Sequence, residues 1–468
     1  MRCELTIHIG DRLVRFWQID VKQAYLTAMM ERLVYTYCKH PPGFVLIDDN
    51  GRLNYRRLRP GEKPPNTVMR LLRALYGGME CGRLFWNKWV KWHLDNGFKT
   101  IHHDKCFLYK EWPDGSFIKQ AFHVDDGAIA QKGDAMWKWY RETLVKTFAF
   151  SLGPLRKYVG LRFTFDYPNR ICTIDQSHQV DRMLVAIKMD GPDSKRAPNS
   201  PVPSWSPPTA SDIPTDPKEI AHFGRSFDMQ LLVGHLLYIQ CGTRPDISYA
   251  LKILSKHTKA YGEKHIAWAK HLVRYLKHTQ SQGLTYVGGN PCTLQIFTDA
   301  SHGADVDTRR SLSGLVVKLG GSTVMWKCMY QSIVSHSSCE SELMALDKGA
   351  TISQYLKWLV EGMGAPTQNT IEIYCDNTGT IDISSNPIQP GRNLHVHARY
   401  FYVRDLFNVK RVVILHLRTA RMIADVLCSY KGFPNFNTLA PIILNCAMVT
   451  KSPNGEYVWS STRPTPKQ

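Results

Sequence analysis

No stretch of this 468-residue chain offers eighteen uninterrupted apolar residues, and its opening, MRCELTIHIGDRLVRFW, lacks the apolar block of a secretory leader. A membrane-spanning helix and a secreted product are therefore not expected. Paired cysteines are missing as well: the twelve are scattered singly from Cys3 to Cys446, with no C-x-x-C anywhere. That spacing excludes a zinc ribbon and a disulfide scaffold, suits a reducing compartment, and leaves most of them as small buried apolar residues. Acid is scarce relative to base, with 40 Asp and Glu against 59 Lys and Arg, a net charge of +19. Such an excess attracts polyanions, nucleic acid first, and says nothing about chemistry. The length exceeds what one core usually serves, so two or three domains are expected.

The stretch 190–218 is dense in Pro, Ser and Asp without an apolar period and reads as a linker or surface loop. Before it, FIKQAFHV and GAIAQ read as two short strands around a tight turn at Asp125-Asp126, GDAMWKWYRETLVKTFAF has helical spacing, and YVGLRFTFD and RICTIDQ straddle a Tyr-Pro-Asn-Arg turn. Beyond it, helices are expected at about 225–240, 246–260 and 263–278. The third carries Ile266, Ala269, Val273 and Leu276 on one stripe and Lys270, Arg274 and Lys277 on another. The basic stripe is a phosphate track or a solvated face, and the pattern leaves both open. From 293 a second α/β unit begins: TLQIFTD, LSGLVVKL and STVMWKC as strands, a helix from Ser338 past Trp358, and the strand TIEIYCD ending at Asp376. The tail from about 431 has no readable pattern, and no internal repeat is present.

Asp48-Asp49 before Asn50-Gly51 is a solvated turn, whereas Asp125-Asp126 sit at the tip of an apolar hairpin. Asp20 ends the run LVRFWQID, so three carboxylates converge if those elements lie side by side. Phosphoryl transfer wants such a set, because two Mg²⁺ ions on oxygen ligands neutralise charge on attacking and leaving oxygens. By spacing alone, strand-end aspartates are more often turn formers and caps.

FWQIDVKQAYL resembles the first palm motif of copia-type reverse transcriptases, and FHVDD their Y-V-D-D hairpin. VYTYCKHPPGF, ALYGG, DKCFLYK, FSLGPLRKYVGLRF, LVGHLLYIQCGTRPDISYAL and RYLKHTQSQGLTY continue the likeness in the family's order, over roughly residues 11–430. The resemblance implies that Asp20, Asp125 and Asp126 are catalytic metal ligands and that Tyr25 excludes a ribose 2′-hydroxyl. Gly77 and Arg83 are the candidate substrate contacts of the ALYGGMECGR loop.

A second set resembles the RNase H domain of the same polyproteins. Asp299 matches the strand-end D-A, Glu342 the glutamate of SSCESELMA, Asp376 the C-D-N and Asp425 the A-D of ADVL. Glu340 lies two residues from Glu342, so only one of them faces a given site. The implied chemistry is hydrolysis of the RNA strand of an RNA–DNA hybrid.

The implied fold is α/β and α+β, multidomain: a palm region with incomplete fingers over 1–189, a Pro-rich linker over 190–222, a helical thumb or connection over 223–290, an RNase H-like α/β domain over 291–430 and an irregular tail over 431–468. The implied function is RNA-directed DNA polymerase with ribonuclease H, using two Mg²⁺ per site (Mn²⁺ as the alternative), on RNA template, DNA primer, hybrid and dNTPs. The expected location is the cytoplasm, in a virus-like particle, or the nucleus. Three departures favour a truncated or decaying element: Met79 where the family has lysine and Gly82 where it has proline, a start barely ten residues before the first palm motif, and LHVH (Leu394 to His397) with ADVLCS for K-H-I-D and A-D-I-L-T-K. A non-catalytic nucleic-acid-binding remnant, or a chain with RNase H activity alone, remain the alternatives, with polymerisation expected to be weak.

Overall fold

A computed structural model describes residues 1–28, 37–39, 44–49, 52–57, 68–70, 73–74, 78–102, 104–192, 197–385, 401–430, 436–446, 448–451 and 457–460. Among the described residues no helix is long and apolar enough to cross a membrane. The chain divides into two compact units, Arg15–Leu155 and Met1–Val14 with Arg156–Gln468.

The first unit starts with β1 (Arg15–Val21). The strands β2 (Tyr37–Lys39), β3 (Phe44–Asp49), β4 (Arg52–Arg57) and β5 (Val68–Arg70) form two small ribbons, β2 with β5 and β3 with β4. Its main sheet adds β6 (Lys99–Ile101), β7 (Asp104–Glu111), β8 (Phe117–His123), β9 (Asp126–Lys132) and β10 (Phe150–Pro154) in the order β10-β1-β9-β8-β7-β6. All of its recorded pairings are antiparallel. The helix Cys81–Asp95 covers it because Cys81, Leu84, Phe85, Trp89 and Val90 recur at helical spacing and are buried. The core is aromatic: Trp89 stacks on Phe122 at 4.2 Å, beside Phe85 and Phe148. Truncating a buried Trp such as Trp89 costs about 3–5 kcal/mol.

The second unit holds what the composition of its parts disguises. The helix Arg2–His8 belongs here, with Arg2 lying 4.4 Å over the Trp326 ring. The strands β11 (Lys157–Tyr158), β12 (Leu161–Asp166), β13 (Ile171–Asp175) and β14 (Leu284–Val287) form one sheet, so YVGLRFTFD and RICTIDQ are part of this unit and not of the first. Pairing of β13 with β14 across more than a hundred residues of sequence decides this, and local pattern carries no trace of it.

The Pro-rich segment lies inside the second unit as a strap along the helix Glu263–His278. Val202 is buried, Trp205 meets Trp268 edge-on at 5.4 Å, His271 contacts the Ser200 carbonyl at 3.0 Å, and Lys264 pairs with Asp212 at 3.1 Å. Lys277 donates to the carbonyls of Met189 and Gly191. Part of the basic stripe therefore satisfies backbone carbonyls of the strap, which lacks a ladder of its own.

The remaining sheet sets the second carboxylate group. Strands β15 (Leu294–Ser301), β16 (Leu312–Leu319), β17 (Ser322–Tyr330), β18 (Ile371–Cys375) and β19 (Val412–His416) run in the order β17-β16-β15-β18-β19. The first three pair antiparallel, and β18 joins β15 and β19 in parallel. That 3-2-1-4-5 order is RNase H-like. The tail expected to be irregular contains a helix, Phe436–Ile443, with Phe436, Leu439, Ile442 and Ile443 buried. Lys318, fully buried in β16, anchors it by donating to the Ile442 carbonyl at 2.9 Å and to Asn445 Oδ1 at 3.3 Å.

Candidate functional site

In the first unit β1 and β9 are paired with Asp20 directly opposite Asp126, and the Val21 amide donates to the Asp125 carbonyl at 2.9 Å. The β8–β9 hairpin turns through Val124 and Asp125, with His123 facing Asp126. The structure thus brings Asp20, Asp125 and Asp126 to neighbouring ends of the interior strands β1 and β9. Val124 has φ of +58°, a strained conformation for a β-branched residue that costs about 1–3 kcal/mol. Asp20 is exposed, and Asp125 and Asp126 are half-buried. Asp20 and Asp126 are like charges at directly opposed positions, which is destabilising without a counter-ion.

Tyr25 packs edge-on to Phe85 at 6.5 Å, and a Cβ at Gly82 would lie 3.8 Å from its hydroxyl. Arg83 is exposed and pairs loosely with Glu80 at 3.9 Å. Met79 is fully exposed. Gly77, His395 and His397 lie outside the described residues.

The second set is assembled by close approach. Asp299 lies in β15 opposite Gly314 of β16. A Cβ at Gly314 would sit 2.5 Å from the Ala424 carbonyl and 2.9 Å from Cys428 Sγ, so only glycine lets the short helix Asp425–Cys428 rest on the sheet. The long helix Ser338–Gly362 does the same through Gly349, where a Cβ would meet Thr298 at 2.6 Å. Glu342, seven residues earlier, shares that inward face. Its Oε1 accepts from the Ala300 amide at 3.0 Å, whereas its Oε2 is buried without a partner. Glu340 points elsewhere: its carboxylate accepts from the His336 amide at 2.6 Å while Ser337 caps the helix at the Glu340 amide. The pair splits into one structural and one site residue.

Asp376 follows β18, and its Oδ2 accepts from the Thr419 hydroxyl at 2.7 Å. Ligand atoms of Asp299, Asp425 and Cys428 lie within 4.8 Å of one another, as do those of Glu342, Cys375 and Asp376. Among the described residues no comparable set includes Asp20, Asp125 and Asp126.

Burial, and then the neighbouring Asp425 and Asp376 charges, push the Asp299 carboxyl up. Burial, then Asp299 and Asp376, push Glu342 far up, and burial raises Asp425 to about 6. Groups this close share protons unless a cation intervenes. A divalent ion fits the donor set, because it would neutralise the crowded acids and give the unpaired Glu342 oxygen a partner.

Residues 5–201 match the family described as reverse transcriptase (RNA-dependent DNA polymerase). The chain is 25% identical over 88% of its length to the retrovirus-related Pol polyprotein from transposon TNT 1-94 of Nicotiana tabacum, covering 29% of that protein. It is 26% identical over 92% of its length to the Pol polyprotein from transposon RE1 of Arabidopsis thaliana, covering 28% of it. Over most of its length the chain is therefore similar to retrotransposon Pol polyproteins, with the reverse transcriptase family matched over residues 5–201. It spans under a third of the length of those two relatives, while it covers 96% of the putative transposon Ty5-1 protein YCL074W of Saccharomyces cerevisiae, at 27% identity over 69% of its own length. Among solved structures, the N-terminal RNase H domain of Mycobacterium tuberculosis rv2228c overlays on 31% of the chain and 98% of that domain, with 14% identity and a TM-score of 0.23.

Cys428 was not singled out from sequence. Its signal was the break in the A-D-I-L-T-K pattern, where this chain has cysteine three residues after Asp425.

Proposed function

We propose that this chain acts on nucleic acid through its second carboxylate set, hydrolysing the RNA strand of an RNA–DNA hybrid. The observation that carries this reading is the gathering of buried Asp299, Glu342 and Asp425 with half-buried Asp376, one Glu342 oxygen being left unpartnered. Two Mg²⁺ ions bound there, or Mn²⁺ in their place, would activate the attacking water and neutralise charge on the scissile phosphate.

The chain's own residues do the rest. Asp299 bridges the set from the central strand, Glu342 offers its free oxygen, and Thr419 holds the Asp376 carboxylate in one orientation. Arg418 and Arg421 flank Thr419 on the same turn and supply positive charge for a phosphate backbone. The surplus of base over acid serves the same partner.

We further infer that Asp20, Asp125 and Asp126 are the ligands of a reverse transcriptase palm acting on RNA template, DNA primer and dNTPs, with Tyr25 at the sugar. Strain at Val124 beside the two aspartates supports a functional constraint there. Exposure of Met79 at the position of the family's lysine, and the looser gathering of these acids, favour a chain whose nuclease outperforms its polymerase. We infer that such work takes place in the cytoplasm, inside a virus-like particle, or in the nucleus.

The experiment is cleavage of a labelled RNA strand in an RNA–DNA hybrid by the purified chain with Mg²⁺. Cleavage abolished by Asp376→Asn is the expected result. Equal cleavage by that variant would reject the assignment.

A further inference from the structure

The acids are not alone in the second set. Cys428 Sγ lies 2.8 Å from Asp299 Oδ2 and is fully buried, on the same short helix as Asp425. Three ligand atoms, from Asp299, Asp425 and Cys428, fall within 4.8 Å of one another. Oxygen and sulfur donors on one tetrahedral zinc ion stand about 3.6 Å apart, given bonds of about 2.1 and 2.3 Å. This triad needs only small side-chain adjustments to reach that geometry.

A second observation points independently to a ligand. Glu342 is 5% exposed, and its Oε2 has no hydrogen-bond partner, though the charge of Asp299 acts on it. A buried carboxylate oxygen without a donor is costly and is expected to meet a cation. Hard ions such as Mg²⁺ select oxygen-only shells, whereas a thiolate among the donors selects softer ions. The family pattern has threonine where this chain has Cys428, so the sulfur is a property of this sequence.

We propose that Asp299, Asp425 and Cys428 form a mixed thiolate–carboxylate site for a thiophilic divalent cation of the zinc class, with the unpartnered Glu342 oxygen within the electrostatic reach of Asp299. The inference rests on the reading of the second acid set as a cation site. On coordination the Cys428 thiol releases its proton to solvent, and the sulfur joins the ion as thiolate. An ion so held occupies Asp299 and excludes Mg²⁺ from it, so hybrid cleavage is inhibited by zinc.

The test uses the full chain and the metals alone. Titration with Co²⁺ is expected to raise a thiolate-to-cobalt charge-transfer band that Zn²⁺ erases. Cys428→Ser and Cys428→Thr should both lose it, whereas Cys106→Ser, on an exposed strand residue of the other unit, should keep it. Outer-shell changes already cost about 10–100-fold in metal affinity, so loss of the thiolate should weaken Zn²⁺ binding at least about tenfold. Zinc-edge X-ray absorption of the unaltered chain at one equivalent of Zn²⁺ should report a sulfur neighbour at about 2.3 Å, a result independent of how the variants fold. A shell of oxygen and nitrogen alone, or a band indifferent to Cys428, overturns the site. Mg²⁺-dependent cleavage of hybrid without a Cys428-dependent band defeats this inference and leaves the nuclease reading standing. A Cys428-dependent band in a chain that cleaves nothing does the reverse.

Discussion

Both carboxylate sets hang from sheet strands, yet the chain treats them in opposite ways. Asp20, Asp125 and Asp126 sit at neighbouring strand ends where Asp20 is open to solvent, and high dielectric lets like charges stand opposed at modest cost. Asp299, Glu342 and Asp425 are each more than nine-tenths buried, in a place where ionised acids cannot crowd without a proton or a cation. In the first set the β8–β9 hairpin is a local device, while the long-range β1–β9 pairing brings Asp20 opposite Asp126. The second depends on two helices pressed onto a sheet through Gly314 and Gly349. Water already solvates the first set, whereas the second gains most from a metal.

The largest expected effect separates the two directly. Asp299→Asn should abolish hybrid cleavage, while Asp126→Asn should leave it in place and remove whatever primer extension exists. Extension by the unaltered chain should be weak or absent. Robust extension lost in Asp126→Asn would show that exposure and Met79 matter less than argued. Next comes the packing device. Gly314→Ala should cost about 1–3 kcal/mol and depress cleavage by lifting the Asp425–Cys428 helix, read by thermal melting and hybrid assay. Gly153→Ala in the first unit, where a Cβ meets nothing within 4 Å, should shift stability by less than about 0.5 kcal/mol. Similar melting shifts for both would remove the distinction.

The smallest effect is in pH. In chelator, Asp299, Glu342 and Asp425 of the second set have raised folded values, Asp425 at about 6, against about 4 unfolded. The folded state therefore binds more protons, and the stabilisation present below pH 4 is lost as pH rises through 6. His93 in the first unit is driven down to about 3 by burial, held by the Trp89 carbonyl at 2.8 Å. Its folded state binds fewer protons, so stability falls as pH drops below the unfolded value of about 6.5. Amide exchange between pH 6.5 and 4.5 should show the strands around Asp299 slowing and the helix around His93 opening, after correction for intrinsic rates. Parallel responses would contradict the assigned burial.

What the sequence discloses follows the same divide. The strand that carries Asp299 and the one that stops just before Asp376, the helix from Ser338 to Gly362 and the hairpin at Asp125-Asp126 are legible because periodicity and turn chemistry act within a few residues. The RNase H-like α/β character of residues 291–430 follows from the resemblance, whereas the strand order is seen only in the fold. Composition misleads at the Pro-rich segment, where Val202 and Trp205 find partners on a helix sixty residues away. It misleads again in the tail, whose helix is held by the distant Lys318. The Arg2–His8 helix, the β13–β14 pairing and the thiol of Cys428 beside Asp299 all depend on long-range contacts that no local pattern encodes.

The most direct test of the central claim is anomalous diffraction from crystals of the full chain soaked in Mn²⁺. Manganese density among Asp299, Glu342, Asp376 and Asp425 is the result expected from a buried acid set that requires a cation. Saturating Mn²⁺ with those four side chains left bare, or density confined to the strand ends at Asp20 and Asp126, would contradict it.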